Sequence, residues 1–139
     1  LREGEAHIEF LFRCFPEVKQ GRTVLGTCYL PTVQGSLRPL FLFLLERMFG
    51  AFPDFLIVLD KDYWDTCGPR LREVLVYHEL LHAAHARDKY DAPKFDKEGR
   101  PCWAIRGHDV EEFAETVRRY GAWHEGIERL VEAAAEHGA

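Results

Sequence analysis

The chain has 139 residues, 47% of them hydrophobic and 29% charged, with 18 Lys and Arg against 23 Asp and Glu and a formal net charge of -5. A single domain of this length buries about two thirds of the surface its unfolded chain exposes, so neither a disulfide nor a metal is needed merely to fold. No apolar run approaches the roughly 18 residues of a membrane span, which excludes a transmembrane anchor, and the acidic balance argues against nucleic acid as a partner, because phosphate binding needs a basic surface.

The sequence opens on Leu1 rather than methionine, as a shortened start does, and residues 1–10 lack the charged leader and apolar core of a signal peptide. Cys14, Cys28, Cys67 and Cys102 lie far apart with no C-x-x-C pair, which excludes a zinc ribbon and suits reduced thiols in the cytoplasm. There is no repeat, low-complexity tract or linker, so residues 1–139 read as one domain.

Residues 6–15 (AHIEFLFRCF) fit a helix or a strand equally and end at Pro16. The β-branched and aromatic content of residues 23–30 (TVLGTCYL) predicts a strand, stopped by Pro31. Residues 38–49 (RPLFLFLLERMF) predict a helix with Pro39 in its first turn, ended by Gly50. Residues 55–59 (FLIVL), short, apolar and flanked by Pro53-Asp54 and Asp60, predict a buried strand.

From Pro69 to Arg87 apolar residues or histidines recur at 71, 74, 75, 78, 81, 82 and 85, the spacing of a helix, and Val76, Leu80 and Ala83 make it apolar on a second face. Such a helix is expected to be central and buried. Residues 88–107 are a polar connection in which DKEG at 96–99 can turn a hairpin. Asp109 with Glu112 three residues on predicts a capping-box start for a helix buried along Val110, Phe113, Ala114, Val117 and Tyr120 and ended by Gly121. A last amphipathic helix follows on Ile127, Leu130, Val131 and Ala134. The order predicts an α+β fold, with a small sheet including 23–30 and 55–59 packed on the 69–87 helix and the 108–121 helix alongside.

That central helix carries H-E-x-x-H as His78-Glu79-Leu80-Leu81-His82. Chance gives on the order of 0.04 such matches in a chain of this composition. Residues four apart project from one side of a helix, so the two imidazoles can share one ion, while Glu79 leaves the axis about 100° further round. Neutral imidazoles suit zinc, and with three protein ligands a fourth position stays open for water, whose pKa falls from about 15.7 toward about 7. Glu79 is then the natural group to take that proton and pass it to a leaving amine.

A third ligand must come from elsewhere. His85 shares the stripe, but 78, 82 and 85 on one straight helix span nearly two turns, too far for one tetrahedral ion. His108 can return after the 88–107 connection to complete the site; Asp109, Glu111 and Glu112 are the acidic alternatives, though acids there also cap helices. Tyr77, Tyr90, Trp103, Arg106 and Tyr120 can supply a transition-state donor or a pocket wall near the metal, though aromatics at these spacings read first as core, and Cys102 can compete for zinc but reads first as a free thiol.

The order VLGT at 24–27, PDFLIVLDKDYWD at 53–65, REVLVYHELLHAAHA at 72–86 and RGHDVEEFAETVRRYGAW at 106–123 resembles the phage metallopeptidase family, a zincin-like group. The resemblance implies a small zinc-dependent peptidase-like domain of phage or prophage origin, acting in the host cytoplasm on peptide or protein. It implies one zinc ion, His78 and His82 as ligands, Glu79 as acid and base, and His108 as third ligand. The chain is similar in layout to SprT-type minimal zincins but lacks their downstream cysteine ribbon. The competing reading is a zinc-binding interaction module without turnover, whose fourth position would be closed by Cys102 or an acidic residue. A metal phosphohydrolase built on His82 and His108-Asp109 leaves Glu79 without a role.

Overall fold

Alternation in IEFLFR resolves the first ambiguity in favour of a strand, β1 (Ile8–Arg13), because its neighbour in the sheet supplies the backbone partners a helix would have supplied internally. The short ribbon β2 (Val18–Lys19) and β3 (Arg22–Thr23) follows, turning through Gln20 and Gly21, both at positive φ, and then β4 (Gly26–Tyr29), the second half of the predicted strand. Helix α1 (Arg38–Phe49) has the predicted bounds, with Pro39 in its first turn and Gly50 in the left-handed conformation at its end. The FLIVL run forms β5 (Phe55–Asp60), followed by a helix absent from the sequence reading, α2 (Lys61–Thr66). Helix α3 (Pro69–His82), the hairpin strands β6 (Ala83–His85) and β7 (Trp103–Ile105), and helices α4 (Ala114–Tyr120) and α5 (Glu125–Gly138) complete the order.

The computed structural model describes residues 6–111 and 113–138, and the chain divides after Arg106 into two compact units. The described residues form an α+β fold of small sheets and five helices. None of those helices is long and apolar enough to cross a membrane.

In the first unit β5 is the middle of a three-stranded sheet of order β1-β5-β4, parallel to β1 and antiparallel to β4. Its burial on both faces explains the unbroken apolar run. Phe55, Ile57 and Leu59, alternate residues of β5, cluster with Cys28 of β4, Leu75 of α3 and Ala83 of β6, and Trp103 packs edge-on to Phe55 at 5.9 Å. On the other face Asp60 is buried; one carboxylate oxygen caps α2 by accepting from the Tyr63 amide at 3.0 Å, and the other lies 3.4 Å from the Arg13 guanidinium. Arg13 also donates to the carbonyls of Val24 and Phe15, so one buried acid ties the ends of β1 and β5 to the approach to β4.

Five expectations fail in instructive ways. The 69–87 helix stops at His82, because Ala83–His85 pairs antiparallel with Trp103–Ile105; tertiary pairing overrides the helix propensity of the alanines. That helix is not buried all round: Leu75 and Glu79 are buried and Val76 and Leu80 pack on the core, while Leu71, Val74, Tyr77 and Leu81 are exposed. In the second unit α4 begins at Ala114, not at Asp109, with Phe113 at its N-cap and no side-chain cap. Glu111 bonds His108 instead of serving the helix start, and Glu112, the other half of the expected capping box, lies outside the described residues. Phe113 and Tyr120 are exposed rather than part of a buried stripe, and on α5 Ile127 is buried whereas Leu130, Val131 and Ala134 are exposed.

The DKEG turn is present: Asp96 accepts from the Gly99 amide through its carbonyl, and Lys94 and Cys102 pair across the turn at 3.0 Å. All four cysteines are free, in line with the absence of paired spacing.

Two outcomes follow from this packing. Asp60→Ala removes both a cap and the partner of a largely buried arginine, so it should lower unfolding free energy by about 2–4 kcal/mol in urea titrations, with Asp60→Asn losing less because the amide oxygen still caps. Burial, assisted by the charge of Glu79, pushes the Cys28 thiol up to about 11 from 9.0. Native protein at pH 8 should therefore label first at exposed Cys14 and at Cys28 only after unfolding, read by mass spectrometry. Above pH 9 the unfolded chain ionises this thiol while the folded chain keeps its proton, so this group's share of stability falls as pH rises from 9 toward 11.

Candidate metal centre

Helix α3 delivers the H-E-x-x-H residues with an inverted burial pattern. Glu79 is 4% exposed, whereas the His78 side chain is 49% exposed and His82 is half-buried. The helix turns Leu75 and Glu79, four residues apart, toward the sheet, and this leaves the two histidines on its flank. Their rings meet edge to face with centroids 5.1 Å apart. Glu79 Oε2 lies 4.0 Å from His78 Nε2, beside the histidine pair rather than opposite it.

A buried carboxylate needs room, and β4 provides it. Gly26 lies directly against Glu79: a Cβ at that position would stand 3.0 Å from Oε2 and 3.2 Å from both Cδ and Cγ. Cys28, two residues along the same strand, joins the core on the same face. Nothing in a single sequence marks Gly26 as a site residue; it reads as an ordinary glycine in a strand.

The β6–β7 ladder brings the chain back to His82. Beyond the Ala83–Ile105 pair, the Arg106 amide donates to the His82 carbonyl at 2.7 Å, and the His82 ring Nδ1 lies 2.6 Å from the Arg106 carbonyl oxygen. A carbonyl only accepts, so Nδ1 carries the proton and Nε2 keeps its lone pair. Arg106, read from sequence as a possible pocket wall, acts here through its backbone. Two residues further on is His108, whose Nδ1 lies 2.6 Å from Glu111 Oε1, so that this nitrogen is the one the carboxylate holds.

His78, His82 and His108 each offer one ring nitrogen, and these atoms all lie within 4.8 Å of one another. The donor set fits a zinc ion: three imidazoles, two with one ring nitrogen held by an oxygen acceptor. Of the acidic alternatives, Glu111 bonds His108, and the group contains neither Asp109 nor Cys102.

His85 stands apart for a different reason from the one its spacing suggested. It sits on β6, not on the helix; its ring packs between Phe95 and Trp103, and its Nε2 donates to the Lys94 carbonyl at 2.9 Å. Tyr77, Tyr90 and Tyr120 are exposed, not core. A cleft of about 1000 Å³ runs along the β6–β7 ribbon, walled by Ala84, His85, Phe95, Trp103 and Ile105; its wall includes Leu81, Ala83 and Arg106 but not His78, Glu79 or His82.

No curated protein and no solved structure matches the chain. A family model does, across residues 1–135, a span that holds the histidine group and the buried glutamate, and by that match the chain belongs to the Putative phage metallopeptidase family.

Proposed function

We propose that the chain is a zinc-dependent peptidase of zincin type, in which His78, His82 and His108 hold the ion through Nε2 and Glu79 carries the proton. The observation that supports this most is the three-nitrogen group with a single buried carboxylate beside it and outside it. A structural site would be closed by four protein donors; three imidazoles with an adjacent acid are the composition of a site that keeps a position open.

Zinc in this setting supplies Lewis acidity, which acidifies water and polarises a carbonyl oxygen. The rest is done by the chain. The Arg106 carbonyl and Glu111 carboxylate hold the His82 and His108 tautomers that direct Nε2 inward. Glu79, largely screened from solvent, accepts a proton from the attacking water at its carboxylate and returns it to the nitrogen of the departing amine, so the acid ends the cycle as it began. An extended peptide is the expected substrate; β4 lies at the sheet edge, where backbone pairing can hold it, and the apolar cleft beside β6 can take side chains. The setting we assign is the cytoplasm of a phage-infected host.

The full-length chain loaded with zinc should cleave a quenched-fluorescent library of unstructured peptides, lose that activity on chelation and regain it with added zinc. Glu79→Gln should retain one equivalent of zinc while turnover drops by about 10²- to 10⁴-fold. His82→Ala should lose both metal and turnover, as measured by elemental analysis after dialysis and by the same assay. Undiminished cleavage by Glu79→Gln would sink the assignment of the proton carrier, and failure of the wild-type chain to retain zinc would sink the metal site.

A further inference from the structure

Glycine weakens a regular strand, since it adds backbone freedom to be lost and no side chain to pack. Gly26 nevertheless opens β4, paired with Leu59, and its φ lies outside the positive region that would demand glycine. Its reason for being glycine is therefore space. The space is filled by Glu79, and not only by the carboxylate tip: Cγ and Cδ are as close as 3.2 Å to where a Cβ would stand. Turning the terminal torsion of the glutamate cannot relieve contacts at Cγ, so a methyl group on Gly26 must displace the side chain or the helix.

We infer that Gly26 is a positioning residue: its bare backbone forms one wall of a slot that fixes the Glu79 carboxylate beside His78. The same oxygen, Oε2, lies 4.0 Å from Nε2 of the His78 ring. The carboxylate is thus close both to the β4 backbone and to the first histidine, and the sheet, rather than the helix alone, bears on where it stands. This inference rests on the assignment of Glu79 as proton carrier, and it adds that β4 determines the geometry of that transfer.

The test is Gly26→Ala in the full chain, alone and combined with Glu79→Ala. With the library substrate, Gly26→Ala should lower kcat by about 3- to 10-fold, the scale expected when contacts of 3.0–3.2 Å push the carboxylate by a few tenths of an ångström, with KM within about twofold and zinc content unchanged. Melting of the zinc-free chain gives a readout independent of turnover. Gly26→Ala should lower Tm in the wild-type background but leave or raise it in the Glu79→Ala background, where the slot is empty and alanine is the better strand residue. If Gly26→Ala alone does not fold, recovery of folding in the double variant supports the slot, and continued failure overturns it. An identical Tm change in both backgrounds, or full kcat in folded Gly26→Ala, overturns the inference while leaving the Glu79 assignment intact. Full activity of Glu79→Gln, by contrast, removes the mechanism and leaves the packing contact standing.

Discussion

The end of the helix that carries the histidine pair is held by one local constraint, the pair of hydrogen bonds between His82 and Arg106. The first, from the Arg106 amide to the His82 carbonyl, continues the β6–β7 ladder onto the last residue of α3. The second, from the His82 ring to the Arg106 carbonyl, fixes the tautomer of an imidazole. A strand that merely passed nearby would leave the end of α3 unregistered; β7, paired through its own backbone, fixes its step against His82. The same ladder requires α3 to stop at His82. Had the helix run on through the alanines, residues 83–85 would have had no edge to offer β7, and the returning chain would have had nothing to register against.

The two parts of the candidate site have separate foundations. The histidines stand on the helix end and the ribbon. The glutamate stands on the sheet, against Gly26 and near Cys28, on the face that also receives Phe55, Ile57 and Leu75. Asp60 and Arg13 stabilise that sheet from its other face, so a buried ion pair remote from the histidines still bears on where the acid is held. The histidine pair and the buried glutamate of one helix therefore rest on different parts of the fold.

Much of this was legible in the sequence, and the exceptions share a cause. The buried strand at 55–59 and the helix at 38–49 announced themselves through local signals: an apolar run between turn residues, and a proline and a glycine at the two ends. The H-E-x-x-H spacing placed both histidines on one flank because helical geometry is local. What was not legible depended on partners distant in the chain. Alanines 83 and 84 favour a helix until Ile105 and Ala104 arrive to pair with them. Glu111 reads as a helix-start acid until its side chain is seen to hold His108. The face of α3 was misjudged because a helix apolar on two sides does not declare which side the sheet will take.

That misjudged face carries the most chemical content. Counting apolar residues made the histidines inward and left the glutamate to one side; the structure turns the glutamate inward and leaves the histidines on the flank. A buried carboxylate is costly unless the surrounding groups stabilise it, and a site of stability alone would have placed a leucine there. The chain instead keeps an acid at that position, opposite a glycine that weakens its own strand. Two local departures from what packing alone favours, facing each other across a few ångströms, point to a requirement other than stability. Exposed imidazoles beside a sheltered acid are an arrangement in which the ring nitrogens can be reached from solvent while the carboxylate is held by packing.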